Sequence, residues 1–384
     1  MISAARLAWL QLRRQKVRLV VALAGVGFAV ILMYMQLGFR DALFDSTLTV
    51  PRRLRADIVM LHPQYTTIVR PTYFPRVRLY QALGFDGVAS VTPVYMIIAG
   101  WKNPATGDMR DIFLLGIDPV ADAFDDPDVS AHTVQLRYPD AVMYDAYSRP
   151  EFGPVPALFD AGGSVTTEME HRDVRVVGLF RMGTSFGIDG TVLTSDLNFL
   201  RIARRLSEEK VGMGLIRLRP GADPERVVAA MRAHLANDVQ VVTAQGMLDL
   251  EIDYWSRSTP IGFVFGFGVV MGLVVGMIIV YQILFADISD HLKEYATLKA
   301  MGYTNRYLSG VVLMEASFLG IAGFVPGVAI CARLFALARS ATMLPMAVEP
   351  VRASEVLALT LVMCWGSALI AMRKLRSADP ADVF

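Results

Sequence analysis

Four stretches of the chain carry almost no charge, and the polar residues gather between them. From Leu19 to Phe39 there are 21 residues without a charged side chain, bounded by Arg18 and Arg40. At about 1.5 Å per residue this is roughly 32 Å of helix, enough to cross the apolar core of a bilayer. Ser258 to Ala286 adds 29 uncharged residues, and Tyr307 to Ala332 adds 26 with one charge, Glu315. Val356 to Met372 has 17, near the lower limit for a spanning helix. Buried core helices are the alternative, but apolar runs this long are rare in soluble folds. The pattern predicts a membrane α-helical protein with four transmembrane helices at 19–39, 259–286, 307–332 and 356–372.

Between the first two runs the pattern is mixed. Strand-like segments occur at Asp57 to Leu61, Val91 to Ala99, Asp111 to Gly116, Val174 to Phe180 and Gly214 to Leu218. The clearest unit is a strand at Leu215 to Leu218, a turn at Pro220-Gly221-Ala222, and Asp223 as N-cap before Pro224 at the first helical position. Helix Pro224 to Leu235 and strand Val239 to Thr243 complete a β-α-β unit. Proline and acidic clusters at Asp118 to Asp128 and Pro150 to Pro156 read as loops. Asp41 to Val50 and Met247 to Arg257 carry helix formers up to Pro51 and Pro260, so both flanking spans are expected to continue outward as stalk helices. Residues 40–258 thus read as a large mixed α+β domain with stalk helices at both ends.

Charge sets the orientation, because positive residues in short segments resist translocation. Residues 1–18 hold Arg6, Arg13, Arg14, Lys16 and Arg18 and no acid. Residues 287–306 add Lys293, Lys299 and Arg306, and the tail 373–384 adds Arg373, Lys374 and Arg376. The loop from Arg339 to Glu355 has only Arg339 and Arg352. Both termini are therefore expected in the cytoplasm, with 40–258 and the short loop 333–355 outside it. The first run is longer than a signal-peptide core and ends in Gln36-Leu37-Gly38-Phe39-Arg40, so it reads as a retained anchor. Ile2, Ala5, Trp9 and Leu12 recur at helical spacing, giving either an amphipathic helix over 1–18 on the inner membrane surface or a basic tail serving topology alone. Both cysteines, Cys331 and Cys364, fall in predicted spans, so no disulfide supports the outer domain. A net charge of +1 gives no reason to expect a nucleic-acid partner.

Several chemistries are excluded. A Walker A loop needs glycine immediately before its lysine, and none of the lysines follows a glycine. No histidine precedes glutamate, and the scattered histidines and membrane cysteines offer no metal-ligand spacing. Gly183-Thr184-Ser185-Phe186-Gly187 matches the G-x-S-x-G nucleophile spacing, which requires a strand-to-helix turn. The following Ile188-Asp189-Gly190-Thr191-Val192-Leu193 reads as a turn into another strand, so the glycines serve a tight loop. No catalytic, cofactor-binding or metal residue is expected in this chain.

Residues 287–306 are the most informative inner segment. Ile288, Leu292, Tyr295 and Leu298 share one helical face, with Asp290, Lys293, Glu294 and Lys299 off it and Gly302 where a helix end prefers glycine. The segment predicts a short amphipathic helix, either a docking surface for a cytoplasmic partner or a helix lying on lipid. Glu315 lies deep in the third span and must face the bundle or water, either as part of a proton relay, which needs a chain of such groups that the other spans do not offer, or in structural pairing and packing. Gly320, Gly323 and Gly327 keep one side of that span narrow enough for close helix contact.

One span, a large outer domain and three further spans resemble the MacB/FtsX-like superfamily of ABC permeases. Lys293-Glu294-Tyr295-Ala296-Thr297-Leu298-Lys299-Ala300-Met301-Gly302 resembles its coupling-helix signature, although Tyr295 stands where the superfamily usually has an aliphatic residue. Glu315 with Gly320, Gly323 and Gly327 is similar to its third-helix pattern, and Asp379-Pro380-Ala381 after basic residues to its C-terminal ending. Leu7 to Leu12, Met35 to Ser46, Gly183 to Gly190 and Leu193 to Phe199 resemble the DevC subfamily. The resemblance implies a homodimeric permease in the bacterial inner membrane, working with a DevA-like ABC ATPase that binds ATP and magnesium, a DevB-like membrane fusion protein and a TolC-like outer-membrane channel. It implies Leu292, Lys293, Glu294, Tyr295, Thr297, Leu298, Lys299, Met301 and Gly302 as the ATPase-coupling residues, and export of a lipid, glycolipid or other hydrophobic compound. An FtsX-like scaffold that regulates a periplasmic enzyme without transport is the alternative.

Overall fold

The computed structural model describes residues 16–162, 164–344 and 346–377. Most of the 1–18 amphipathic segment, with Leu7 to Leu12, and the ending Asp379-Pro380-Ala381 lie outside the described residues. The elements run α1 (Lys16–Thr47), β1 (Ile58–Leu61), β2 (Phe74–Pro75), α2 (Arg76–Gln81), β3 (Val88–Lys102), β4 (Met109–Ile117), α3 (Pro127–His132), β5 (Ala141–Asp145), α4 (Val155–Asp160) and β6 (Val165–Met169). They continue with β7 (Arg172–Phe180), β8 (Thr191–Ser195), α5 (Asp196–Ile202), β9 (Lys210–Val211), β10 (Met213–Leu218), α6 (Pro224–His234), β11 (Gln240–Thr243) and α7 (Ala244–Arg257). The last four helices are α8 (Pro260–Asp290), α9 (Leu292–Ala300), α10 (Asn305–Thr342) and α11 (Pro350–Ser377). The described residues divide into two compact units, one of residues 16–42 with those from 260 onward, and one of residues 43–259.

In the first unit α1, α8, α10 and α11 are each long and apolar enough to cross a membrane. On α1, Ala22, Val26, Ala29, Val30, Met33 and Leu37 recur at three- and four-residue steps and are buried. They pack in one cluster with Val280, Leu284 and Ile288 of α8, Val312, Ala316 and Leu319 of α10, and Met363, Cys364 and Ala368 of α11. Each helix runs past its charge-free stretch, because polar residues at the ends continue the backbone hydrogen bonding while reaching partners of their own. Asp287, assigned from sequence to the inner loop, is thus on the last turns of α8. Likewise α10 continues to Thr342, well into the segment expected as the 333–355 loop. Arg352 is buried on α11, where Nε donates to Asp41 Oδ2 at 3.0 Å and a guanidinium nitrogen donates to the Ala347 carbonyl at 3.0 Å.

The second unit is built on a nine-stranded sheet ordered β11-β1-β10-β3-β4-β8-β5-β7-β6. The long strand β3 serves two parts of it. Its first half pairs with β10, and its second half pairs with β4. Beyond β4 the sheet continues to β6, which returns to β3 through the Trp101–Met169 pair, so six strands close into a ring. Trp101 is fully buried at that closure; its indole N–H donates to the Phe152 carbonyl at 3.0 Å and its ring lies 5.3 Å from that of Tyr144. The expected β-α-β unit is present as β10, α6 and β11, with the Asp223 side chain accepting from the Glu225 amide at 3.0 Å. The two strands are not neighbours, since β1 lies between them and pairs antiparallel with both. The two proline-rich segments read as loops instead contribute to the short helices α3 and α4.

Candidate functional site

The helix α9 is a nine-residue segment closed by glycine. The Gly302 amide donates to the Lys299 carbonyl at 3.0 Å and the Tyr303 amide to the Leu298 carbonyl at 3.1 Å, while Gly302 has φ +92°. This paired bond pattern needs a left-handed residue, which glycine supplies without a Cβ clash. After a short turn, Thr304 caps α10 by accepting from the Tyr307 amide at 3.3 Å.

The faces of α9 are clearly divided. Tyr295 and Ala296 are buried, and Leu292 and Leu298 pack partly buried against the apolar cluster of the helical unit. Lys293, Glu294, Thr297, Met301 and Gly302 are exposed, and Lys299 is half-buried. Met301 is 63% exposed, so an apolar tip stands beside a basic and an acidic group. Such a mixed, partly apolar face on a rigid short helix can seat in a groove of another protein.

Next to α9 the structure brings together charges that sequence reasoning left apart. Arg18 of α1 lies 3.6 Å from Asp287 and 2.6 Å from Asp290, both on α8. His291, which opens α9, places Nδ1 3.4 Å from the same Asp287 carboxylate and 3.0 Å from the Asp287 carbonyl. Glu315 of α10 is 2% exposed and within electrostatic reach of Asp287 and Arg18. The i to i+4 spacing of Asp287 and His291 was visible in the sequence. The approach of Arg18 and Glu315 was not, because it depends on helix packing.

The three glycines of α10 lie at helix contacts. A Cβ at Gly323 would come within 2.7 Å of Val26, and one at Gly327 within 2.8 Å of Val30, both on α1. Gly320 faces α11, where a Cβ would stand 3.3 Å from Cys364 Sγ.

In the second unit, Gly183 to Gly190 is a loop followed by strand β8, without the helix a nucleophile elbow requires. Its base is held by buried Asp145, whose carboxylate accepts from the amides of Tyr147, Met182 and Gly183 at 2.8 to 3.0 Å. Burial raises that carboxyl above its usual value, against the pull of the three donors. Its tip is held at Phe186, whose amide donates to Ser46 Oγ at 3.1 Å and whose ring meets Trp255 edge-on at 5.1 Å. One turn earlier on α7, fully buried Glu251 accepts from the Tyr65 hydroxyl, from Thr67 Oγ1 at 2.8 Å and from the Ile68 amide at 2.7 Å. Sequence reasoning did not single out Glu251, and a lone glutamate on a polar helix carries no signal of burial. Among the described residues, no group of three or more metal-ligating side chains is placed to hold a metal ion.

Comparison with known proteins places part of the chain. Residues 266–380 match the family model described as FtsX-like permease C-terminal. No curated protein matches the sequence. Among solved structures, the periplasmic region of MacB from Actinobacillus actinomycetemcomitans is similar with TM-score 0.35 at 10% identity, covering 52% of this chain and 93% of that one. The extracellular domain of the noncanonic ABC-type transporter YknZ from Gram-positive bacteria gives TM-score 0.32 at 13% identity, covering 48% and 98%. A domain of a putative permease protein from Porphyromonas gingivalis gives 0.31 at 14%, covering 50% and 91%. The segment that matches the FtsX-like permease model holds most of α8, all of α9 and α10, and α11.

Proposed function

We propose that this chain is the permease subunit of an ABC-type exporter, of the DevC-like kind within the MacB/FtsX-like superfamily, and that a separate ATPase docks on α9. The observation that carries this reading is the division of α9. Its Tyr295 and Ala296 side is anchored in the helical unit, and its Lys293, Glu294, Thr297 and Met301 side is free for a partner. The FtsX-like permease match over 266–380 supports it.

In this reading the chain binds no nucleotide. ATP and magnesium sit in a DevA-like partner, and Leu292 to Gly302 receive its movement. The continuous helix α1 and the helix α7 carry that movement to the α+β domain. The permease is a homodimer in the bacterial inner membrane with both termini in the cytoplasm and residues 40–258 outside. It works with a DevB-like fusion protein and a TolC-like channel to export a lipid, glycolipid or other hydrophobic compound.

Exchanging the charges of Lys293 and Glu294 (K293E with E294K) tests the docking. Copurification of the full chain with its ATPase is expected to weaken about tenfold or more, corresponding to about 1.4 kcal/mol. Undiminished retention of the ATPase by this double variant refutes docking on α9. Inactivating the ATPase then tests export itself, and cargo release that survives excludes the motor. If the ATPase docks, no cargo leaves and a periplasmic hydrolase is activated, the FtsX-like scaffold reading replaces export.

A further inference from the structure

Three helices and the start of α9 contribute ionisable groups to one node, buried at Asp287 and Glu315 and open to solvent at Asp290 and Glu294. Arg18 comes from α1, Asp287 and Asp290 from α8, His291 from the α8–α9 junction, Glu294 from α9 and Glu315 from α10. Asp287 and Glu315 are both buried, and Asp290 is half exposed. Among the described residues, Glu315 Oε2 and Asp287 Oδ2 are buried oxygens with no hydrogen-bond donor.

Counting charge shows what the node lacks. Arg18 is one fixed positive charge beside buried Asp287 and within electrostatic reach of buried Glu315, and its closest contact, at 2.6 Å, goes to the more exposed Asp290. Two ionised carboxylates in a low-dielectric site repel each other, and a buried anion without donors is strongly disfavoured. One further positive charge relieves both, and the structure offers two seats for it. One is the donor-free oxygen of Glu315. The other is the imidazole of His291, which is 12% accessible and already turned to Asp287.

We propose that Arg18, Asp287, His291 and Glu315 form a proton-binding site whose proton, exchanged with water through His291, is linked to the seating of the first turn of α9. The proton comes from solvent and returns to it, and only N–H and O–H bonds form or break. When the proton is on His291, imidazolium and Asp287 attract and hold the start of α9 against α8. When it moves to a carboxyl, that attraction falls and the turn loosens. The sequence reading found no second carboxylate for Glu315, because Asp287 belongs to a loop until α8 is seen to continue through it.

The test uses the full chain in lipid nanodiscs, with protons as the only ligand. Difference infrared spectra between mildly alkaline and mildly acidic buffer should show, beside any bands of the buried Asp145 and Glu251 carboxyls in the α+β unit, one C=O band of a protonated carboxyl from the node. Glu315→Gln should lose it, and Asp287→Asn should change the pH at which it appears, while Asp253→Asn on the exposed side of α7 should do neither. Hydrogen exchange at Leu292 to Tyr295 should respond to pH beyond the intrinsic chemistry of exchange, and Glu315→Gln should abolish that response. A C=O region of the difference spectrum identical in wild type and Glu315→Gln, or an α9 response identical in both proteins, overturns the proposal. If Glu315→Gln does not fold, Asp287→Asn decides, and an unmoved band overturns it. Neither readout involves an ATPase, so failure here leaves the exporter reading intact, and the converse also holds.

Discussion

Glu251 is a single acceptor on which three buried donors converge, from Tyr65, Thr67 and Ile68. Removing it leaves each donor without a partner, at about 1 to 3 kcal/mol apiece. Glu251→Ala is therefore expected to destabilise the α+β unit by about 3 kcal/mol or more, and to speed hydrogen exchange at the Ile68 amide by about a hundredfold. Unchanged exchange there would show that the segment is held by other contacts. Burial also raises the Glu251 carboxyl above its usual value, with the three donors opposing. The folded protein then takes up this proton more readily than the unfolded one, so the group's stabilising contribution is complete below the ordinary glutamate range and is lost as pH rises through the raised value. Denaturation of wild type and Glu251→Gln over that range should show wild type gaining relative to the variant on acidification. Arg352 teaches a similar lesson. In sequence it is one of two positive charges in an outer loop, whereas in the fold its guanidinium is buried against Asp41 and the Ala347 carbonyl.

Helices α1 and α10 meet where glycine replaces a side chain. A Cβ at Gly323 would meet Val26 Cβ and Cγ1 at 2.7 Å, neither of them the end of a long flexible chain, so the helices must part. Gly323→Val is expected to cost about 1 to 3 kcal/mol, the usual range for overpacking. Thermal unfolding in detergent measures it, and a variant as stable as wild type would mean the contact is loose. The glycines at three- and four-residue spacing were legible in the sequence, but the helix they touch was not: Gly323 and Gly327 face α1 and Gly320 faces α11. At α9 the apolar face and the terminal glycine were likewise legible, because both are local. The start of α9 was misplaced, since 287–290 continue α8 and the amphipathic period does not reveal a break between helices.

For the whole molecule, lipid accepts helices because each closes its own backbone hydrogen bonds, and lysine and arginine on short segments set which side faces inward. A reporter fused near residue 150 is expected outside the cytoplasm and one at the C-terminus inside; a fusion near 150 that reports from the cytoplasm would reverse the layout. The four spanning helices and the mixed α+β character of the intervening domain follow from local pattern, since charge-free length, strand alternation and the Asp223-Pro224 helix start are written in neighbouring residues. Tertiary structure alone decided which strands pair, because hydrogen-bonded neighbours in a sheet come from distant parts of the chain. It placed β1 between β10 and β11, and it closed six strands into a ring at Trp101. It also decided that Arg18 and His291 meet at Asp287, with Glu315 buried within electrostatic reach: each charge is visible in the sequence, but its cost and its partner exist only once packing has removed water from around it.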